Sequence, residues 1–141
     1  MDDTKLLKDQ QIPNIDLAYE HLVNSKISSI ALPNQNGNLL KLNRSDTFRL
    51  IFYFYPMTGH PNKKLPANWH QIPGVKGCTL LNCNFRDNYE NFIRLNSVPI
   101  GITTQTIEEI KEMTMRLNIQ FDILSDLNLE LANKLSLPTF V

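Results

Sequence analysis

Apolar residues in this chain follow two spacings, the alternation typical of strands and the three-to-four step typical of helices. The most apolar predicted strand, residues 48–55, carries aromatic and β-branched side chains on both faces. That pattern is typical of a strand covered on both sides in the middle of a sheet. Further strands are predicted at residues 98–102 and 121–124, and apolar runs on either side of Asn36-Gly37 predict an N-terminal hairpin.

Three helices are predicted between and after these strands. One begins at Cys78 and carries an apolar face that recurs at steps of three and four, at Leu81, Phe85, Tyr89 and Phe92. The next is capped by Thr104 or Thr106, and the last by Asp126. Because strands and helices alternate after the hairpin, the sequence predicts an α/β layered sandwich with parallel strands and right-handed crossovers.

The chain has 141 residues, 42% of them hydrophobic, which predicts one domain with a core of its own. We divide it into a polar tail and short helix at 1–25, capped by Asn14 or Asp16, and a main domain at 26–141. Its 14 basic and 14 acidic residues cancel, which argues against nucleic acid as a partner. No apolar run approaches the ~20 residues of a membrane span, and the polar N-terminus is unlike a secretory signal. We therefore expect a cytoplasmic protein with no membrane partner.

Cys78 directly follows Gly77 and opens the predicted helix. A thiol there meets unpaired amide N–H groups and the positive end of the helix dipole, and both favour a thiolate. Lys76 adds positive charge, so we expect the pKa of Cys78 to fall below the roughly 8.5 of an ordinary thiol. Such a cysteine is a candidate nucleophile, and the alternative is a small residue buried at a helix start.

Cys83, the second of the two cysteines, lies five residues further on. In an intact helix, residues so spaced have Cα atoms roughly 8–9 Å apart and side chains about 140° apart. A disulfide needs Cα atoms roughly 4.4–6.8 Å apart. The spacing therefore predicts an intact helix when both thiols are reduced, and an unwound first turn when they are bonded. It suits a reaction in which one thiol is oxidised and the other then resolves it.

The long connection at residues 56–77 contains four prolines, three glycines and two histidines. Loops of this length are usually functional or disordered. His60 and His70, together with the two cysteines, provide four possible metal ligands. However, zinc-binding cysteines usually come as C-x2–4-C in turns, so we assign no metal here. We expect Trp69 to anchor the loop.

Six short stretches stand in an order typical of one family: residues 31–37 (ALPNQNG), 52–56 (FYFYP), 77–79 (GCT), 83–89 (CNFRDNY), 101–104 (GITT) and 124–132 (LSDLNLELA). Together they resemble the peroxiredoxins of the AhpC/TSA superfamily, and most closely the bacterioferritin-comigratory (Q-type) branch. The resemblance runs from about Ile27 to Val141. It implies a thioredoxin-like fold, with a central mixed sheet flanked by helices.

The resemblance also implies a mechanism and partners. Cys78 falls on the family's peroxidatic cysteine and Cys83 on its resolving cysteine. Cys78 would reduce hydrogen peroxide or an organic hydroperoxide and become a sulfenic acid. Cys83 would then form the Cys78–Cys83 disulfide, which thioredoxin or a similar dithiol reduces. The resemblance implies no metal and no organic cofactor, and a monomer or dimer.

The sequence departs from the family pattern in two places. Where the family has Thr or Ser three residues before its cysteine, this chain has Val75, so Thr58 and Thr79 are the hydroxyls we assign to peroxide binding. The family also continues with two strands and a helix that carry an arginine beside the thiolate, and no residue here matches it. We therefore expect a C-terminally truncated domain with strand 48–55 at an exposed edge.

These departures keep a second function open, a catalytically impaired redoxin-like fragment or binding module, because fold alone does not determine activity. Arg86 does not replace the family's arginine, since it belongs to the CNFRDNY stretch. We expect it to form a salt bridge on the helix surface.

Overall fold

The computed structural model describes residues 16–27, 29–43, 48–69 and 77–139. Its elements, in chain order, are a 3₁₀ helix Asp16–Leu22, β1 Ala31–Pro33, β2 Leu39–Lys41, β3 Arg49–Tyr55, α1 Cys78–Asp87, α2 Tyr89–Arg94, β4 Ser97–Thr103, α3 Ile107–Arg116, β5 Ile123–Ser125 and α4 Glu130–Lys134. The predicted polar tail, the Asn14 cap and the three residues His70, Val75 and Lys76 lie outside the described residues. The division at residue 25 stays a prediction.

The strands form a hairpin and a three-stranded parallel sheet. β1 and β2 pair antiparallel around a turn in which Asn34 accepts from the Gly37 amide and Gly37 has φ 80°. β3, β4 and β5 lie side by side in that order, all parallel. An antiparallel bridge between Asn34 and Leu124 joins the hairpin to β5, which makes the arrangement mixed. The predicted hairpin, parallel pairing and alternation of strands and helices are confirmed.

The parallel sheet separates two hydrophobic clusters, because successive side chains of a strand point to opposite faces. Under α1 and α3 lie Tyr53, Tyr55, Cys78, Ile110, Met113, Ile119, Phe121 and Ile123. Under the hairpin and α4 lie Ile30, Leu32, Leu42, Ile100, Ile102, Leu124 and Leu131. Cys78 therefore belongs to the core on one face of the sheet.

β3 lies at one edge of the sheet that the described residues form, with β4 in the middle. The expectation of a middle strand, drawn from its apolar pattern, is wrong for this part of the chain. The exposed-edge expectation is met in the sheet that the described residues form, since β3 pairs there with β4 on one side only. β3 carries large apolar side chains on both faces because it packs on two clusters. Tyr53 and Tyr55 belong to one cluster, while Leu50 and Phe52 pack against the other.

Two helices differ from their predicted form. The helix expected to run from Cys78 through Phe92 is interrupted at Asn88, whose side-chain amide donates to the Asn84 carbonyl at 2.9 Å. A side chain that bonds a nearby carbonyl in this way competes with the helix ladder. The last helix begins at Glu130 rather than directly after Asp126. Leu129 rather than Asp126 is the N-cap residue, but the Asp126 carboxylate oxygens still accept from the Leu131 and Ala132 amides at 3.1 and 3.0 Å.

The described part of the long loop is attached to α3 and the residues before it. The amide of Thr58 donates to Gln105 Oε1 at 3.0 Å, and Arg116 donates to the Gly59 carbonyl at 3.0 Å. Trp69 is only 8% exposed, which supports its role as a loop anchor. The loop therefore leaves β3 along a defined path before it returns to Cys78.

The candidate redox site at the start of the first helix

Cys78 lies where the chain returns from the long loop to the core. It is 7% exposed and packs in the cluster that contains Tyr53 and Tyr55. Gly77 precedes it with φ 120°, a conformation that glycine adopts without strain. The amide of Met57, two residues after the end of β3, hydrogen-bonds the Cys78 sulfur. The end of β3 and the start of α1 therefore lie side by side. Strand, loop and helix therefore meet at the thiol.

The first turn of α1 has no side-chain cap at its N-terminus. Gly77 at the N-cap position makes no side-chain hydrogen bond, and the first turn carries no acidic residue. Its backbone closure is the Leu81 amide, which donates to the Gly77 carbonyl at 2.7 Å. Because nucleating a helical turn is intrinsically unfavourable, an uncapped first turn opens at low cost.

The environment of Cys78 raises its pKa, which corrects the sequence-based expectation. Burial of the thiol raises the pKa, while hydrogen bonds from the Met57 and Cys78 backbone amides lower it. Burial is the larger effect, because removing a charge from water outweighs two amide contacts at this depth. The helix terminus supplies donors, as predicted, but the side chain points into the core rather than towards solvent.

Cys83 lies near the middle of the same helix and is half-buried. Because α1 is continuous from Cys78 to Asp87, the two cysteines have the helical separation that excludes a disulfide. The predicted intact helix in the reduced protein is therefore confirmed. The unwound state stays a prediction.

The two threonines assigned to peroxide binding lie on different elements. Thr58 is 3% exposed and follows Met57, the residue whose amide reaches Cys78. Its hydroxyl donates to Gln105 Oε1 at 3.3 Å. Thr79 is half-buried and follows Cys78 directly in α1. Their roles stay predictions, and Val75 lies in the part of the chain that is not described.

Sequence reasoning missed two polar residues that contact the helix turn of Cys78. Asn82 is 0% exposed, and its side chain donates to the Cys78 carbonyl at 2.9 Å. Tyr53 on β3 donates its hydroxyl to Asn82 Oδ1 at 2.8 Å. The signal was present in the spacing, because Asn82 stands four residues after Cys78 and so shares its helix face.

His60 and Arg86 make contacts away from the sulfur atoms. His60 lies 3.7 Å from Glu112 on α3 and accepts from the Asn62 amide. Arg86 pairs with Asp87, as expected, and also donates to the Leu117 carbonyl. In the described ranges, no three His, Cys, Asp or Glu side chains lie close enough together to hold a metal ion.

The fold and the cysteine at the start of α1 define a thioredoxin-like protein. Among solved structures, peroxidoxin BcpB from Mycobacterium tuberculosis matches with a TM-score of 0.65 and 19% identity, over 83% of this chain and 67% of that one. The thioredoxin-like α/β fold is thus confirmed. The described residues contain no helix that is both long and apolar enough to span a bilayer.

The family follows from two further comparisons. The model of the AhpC/TSA family matches residues 69–139, just over half of the 141 residues. A putative peroxiredoxin bcp of Coxiella burnetii is 27% identical over 104 residues, and peroxiredoxin Bcp of Bacillus subtilis is 27% identical over the same length. The chain therefore belongs to the AhpC/TSA family, in its Bcp/peroxiredoxin Q branch. The alignments cover 74% of this chain but only 59% and 57% of those relatives.

Proposed function

We propose that this chain is a thiol peroxidase in which Cys78 reacts with the peroxide and Cys83 resolves the product. The observation that carries the proposal is the shared helix. Both cysteines lie on α1, Cys78 opens its uncapped first turn, and Cys83 lies beyond disulfide reach until that turn opens. The curated relatives named peroxiredoxin add support.

The first step is a two-electron transfer from sulfur to peroxide. The Cys78 thiolate attacks one peroxide oxygen, an S–O bond forms as the O–O bond breaks, and the released hydroxide or alkoxide takes up a proton and leaves as water or an alcohol. Cys78 is then a sulfenic acid. The amides of Met57 and Cys78 stabilise the attacking thiolate. Thr58 already donates its hydroxyl proton to Gln105, so it can only accept from a peroxide O–H, whereas the Thr79 hydroxyl serves as a donor.

The second step needs the first turn of α1 to open. The Cys83 sulfur attacks the Cys78 sulfur, the S–S bond forms as the S–O bond breaks, and the oxygen leaves as water. Thioredoxin or a similar dithiol of the cytoplasm then returns two electrons and two protons. The cycle uses no metal and no organic cofactor. The chain works as a monomer or dimer. Because both cysteines belong to one chain, the disulfide needs no second subunit.

Two cysteine variants of the 141-residue chain test this assignment. Cys78→Ser should lose peroxide consumption completely, because the nucleophile is gone. Cys83→Ser should consume one equivalent of hydrogen peroxide per chain and then stop turning over with thioredoxin. Peroxide loss and sulfenic acid, trapped by dimedone and weighed by mass spectrometry, are the measurements. Full turnover by Cys78→Ser would refute the assignment of Cys78 as the nucleophile.

A redoxin-like binding module is the second candidate function, and the burial of Cys78, which is 7% exposed, favours it. The two candidate functions differ in how much folding accelerates the reaction of Cys78 with peroxide. A peroxidase should react about a hundredfold or more faster when folded than when unfolded in urea, because oriented donors accelerate the attack. We would compare the two rates in Cys83→Ser at pH 9, where the thiolate fraction is larger. Equal rates would support the binding module.

A further inference from the structure

Asn82 is a polar side chain held entirely inside the protein. It is 0% exposed and lies on the face of α1 that packs against β3. Asparagine is a weaker helix former than alanine, and burying its side-chain amide is unfavourable unless it is hydrogen-bonded. We therefore attribute the position of Asn82 to its hydrogen bonds with Cys78 and Tyr53.

Those two bonds leave one orientation for the Asn82 amide. The Cys78 carbonyl can only accept, so the Asn82 nitrogen faces it, at 2.9 Å. The Asn82 oxygen then faces Tyr53, whose hydroxyl donates at 2.8 Å. Burial raises the pKa of Tyr53, so its hydroxyl keeps the proton at neutral pH. A continuous chain of hydrogen bonds therefore runs from β3 through Asn82 to the residue that opens α1.

Tyr53 is itself a fixed attachment point. Its ring stacks on Phe85 with centroids 4.0 Å apart and ring planes 6° apart. Its hydroxyl approaches the backbone of β4 at Gly101, where a Cβ atom would lie only 2.8 Å from the hydroxyl oxygen. The glycine thus makes room for the hydroxyl that reaches Asn82, and contacts with β4 and with Phe85 on α1 together fix the position of the Tyr53 side chain.

We propose that Asn82 is a latch that holds the first turn of α1 closed and so controls when Cys83 can reach Cys78. This rests on the proposed function for its consequence, although the latch itself is a property of the reduced protein. Unwinding the first turn moves the Cys78 carbonyl away from Asn82 and breaks the 2.9 Å bond. Asn82 is a positioning residue, because it acts through the backbone of Cys78 and not on the peroxide.

Hydrogen exchange in the reduced 141-residue protein tests the latch without peroxide. The variant is Asn82→Ala, and the matched control is Asn84→Ala, the same change at an exposed position of the same helix. The amides at positions 81 and 82 should exchange about tenfold faster in Asn82→Ala than in the control, because the variant loses the buried hydrogen bond to the Cys78 carbonyl. Equal exchange in the two variants overturns the latch.

The thiol–disulfide equilibrium tests its consequence. In a dithiothreitol redox buffer, Asn82→Ala should favour the Cys78–Cys83 disulfide about tenfold more than Asn84→Ala, a shift of about 30 mV. Tyr53→Phe, which keeps the Cys78 contact but removes its support, should shift the equilibrium the same way by about threefold. It also serves as the test if Asn82→Ala does not fold. An unchanged equilibrium in both variants overturns the proposal.

The two proposals fail in different ways. If peroxide does not convert the wild-type protein to the Cys78–Cys83 disulfide, the proposed function is wrong, while faster exchange in Asn82→Ala still supports the latch. If the disulfide forms but exchange and equilibrium are the same in Asn82→Ala and Asn84→Ala, the latch is wrong and the proposed function stands.

Discussion

The first turns of α1 and α3 are held in opposite ways. At α3, Thr106 and Glu109 form a reciprocal capping box, with the Thr106 amide donating to Glu109 Oε2 at 2.9 Å and the Glu109 amide to Thr106 Oγ1 at 3.3 Å. Glu108 and Glu109 also place negative charge at the positive end of that helix. At α1, Gly77 provides no side chain and the first turn contains no acid.

The difference shows which helix is built to stay closed. The start of α3 is held by residues of its own first turn, so it opens only if the capping box breaks. The start of α1 is held from outside, by Asn82 one turn further along and by Tyr53 on the sheet. A support that lies outside the turn can be withdrawn without unfolding the rest of the helix. Local opening is what the proposed chemistry of Cys78 and Cys83 requires.

The start of α4 resembles α3, and it offers the largest expected effect. Asp126 is 4% exposed and satisfies two buried amides, those of Leu131 and Ala132. Asp126→Ala should lower the free energy of unfolding by about 2–3 kcal/mol, because both amides lose their acceptor. Urea denaturation measures the change. Asp126→Asn, which keeps one acceptor oxygen, should lose less, and an equal loss in both variants would contradict the explanation.

The buried thiol at the start of α1 should make the stability of the protein fall at alkaline pH. Because burial raises the pKa of Cys78, the thiol loses its proton at a lower pH in the unfolded chain than in the folded protein. The contribution of the buried neutral thiol to the free energy of unfolding is therefore full below the ordinary pKa of about 8.5, and it decreases as pH rises towards the raised pKa of Cys78 in the folded protein. Alkylation of Cys78 in Cys83→Ser should accelerate about tenfold per pH unit over this range.

The measurements are iodoacetamide kinetics and urea midpoints between pH 7 and 10. The same variant unfolded in urea is the control for alkylation, and Cys78→Ser is the control for stability. Cys78→Ser should remove the part of the alkaline loss that begins near pH 8.5. An alkylation profile that levels off below pH 8 would show a lowered pKa and refute the burial argument.

The smallest expected effect comes from the capping box itself. Thr106→Ala should lower the free energy of unfolding by about 1 kcal/mol, the typical contribution of an N-cap. It should leave the thiol–disulfide equilibrium of Cys78 and Cys83 unchanged, because α3 is not part of the opening turn. Urea denaturation and the dithiothreitol equilibrium are measured on the same preparation. A shift of that equilibrium would show that the two helix starts are coupled.

Much of the fold could be predicted from local patterns. The hairpin around Asn36-Gly37, the parallel strands and the Thr106 cap follow from turn chemistry, periodicity and capping preferences, which act within a few residues. The helix break at Asn88 was missed, because a side-chain bond to a carbonyl competes weakly and leaves little trace in periodicity. The apolar pattern of β3 pointed to a middle position, because a strand that fills two clusters looks like a middle strand, and only the departure from the family pattern predicted its edge position.

The sequence by itself determined the two cysteines, their five-residue spacing and the helix they share, and so the need for an unwound turn before they can bond. It also carried the resemblance to the AhpC/TSA family. Tertiary structure decided the environment of Cys78. Burial against Tyr53 and Tyr55 raises its pKa, and Asn82 holds its turn to the sheet. Such effects depend on residues distant in sequence, because desolvation and buried hydrogen bonds exist only once the chain has packed.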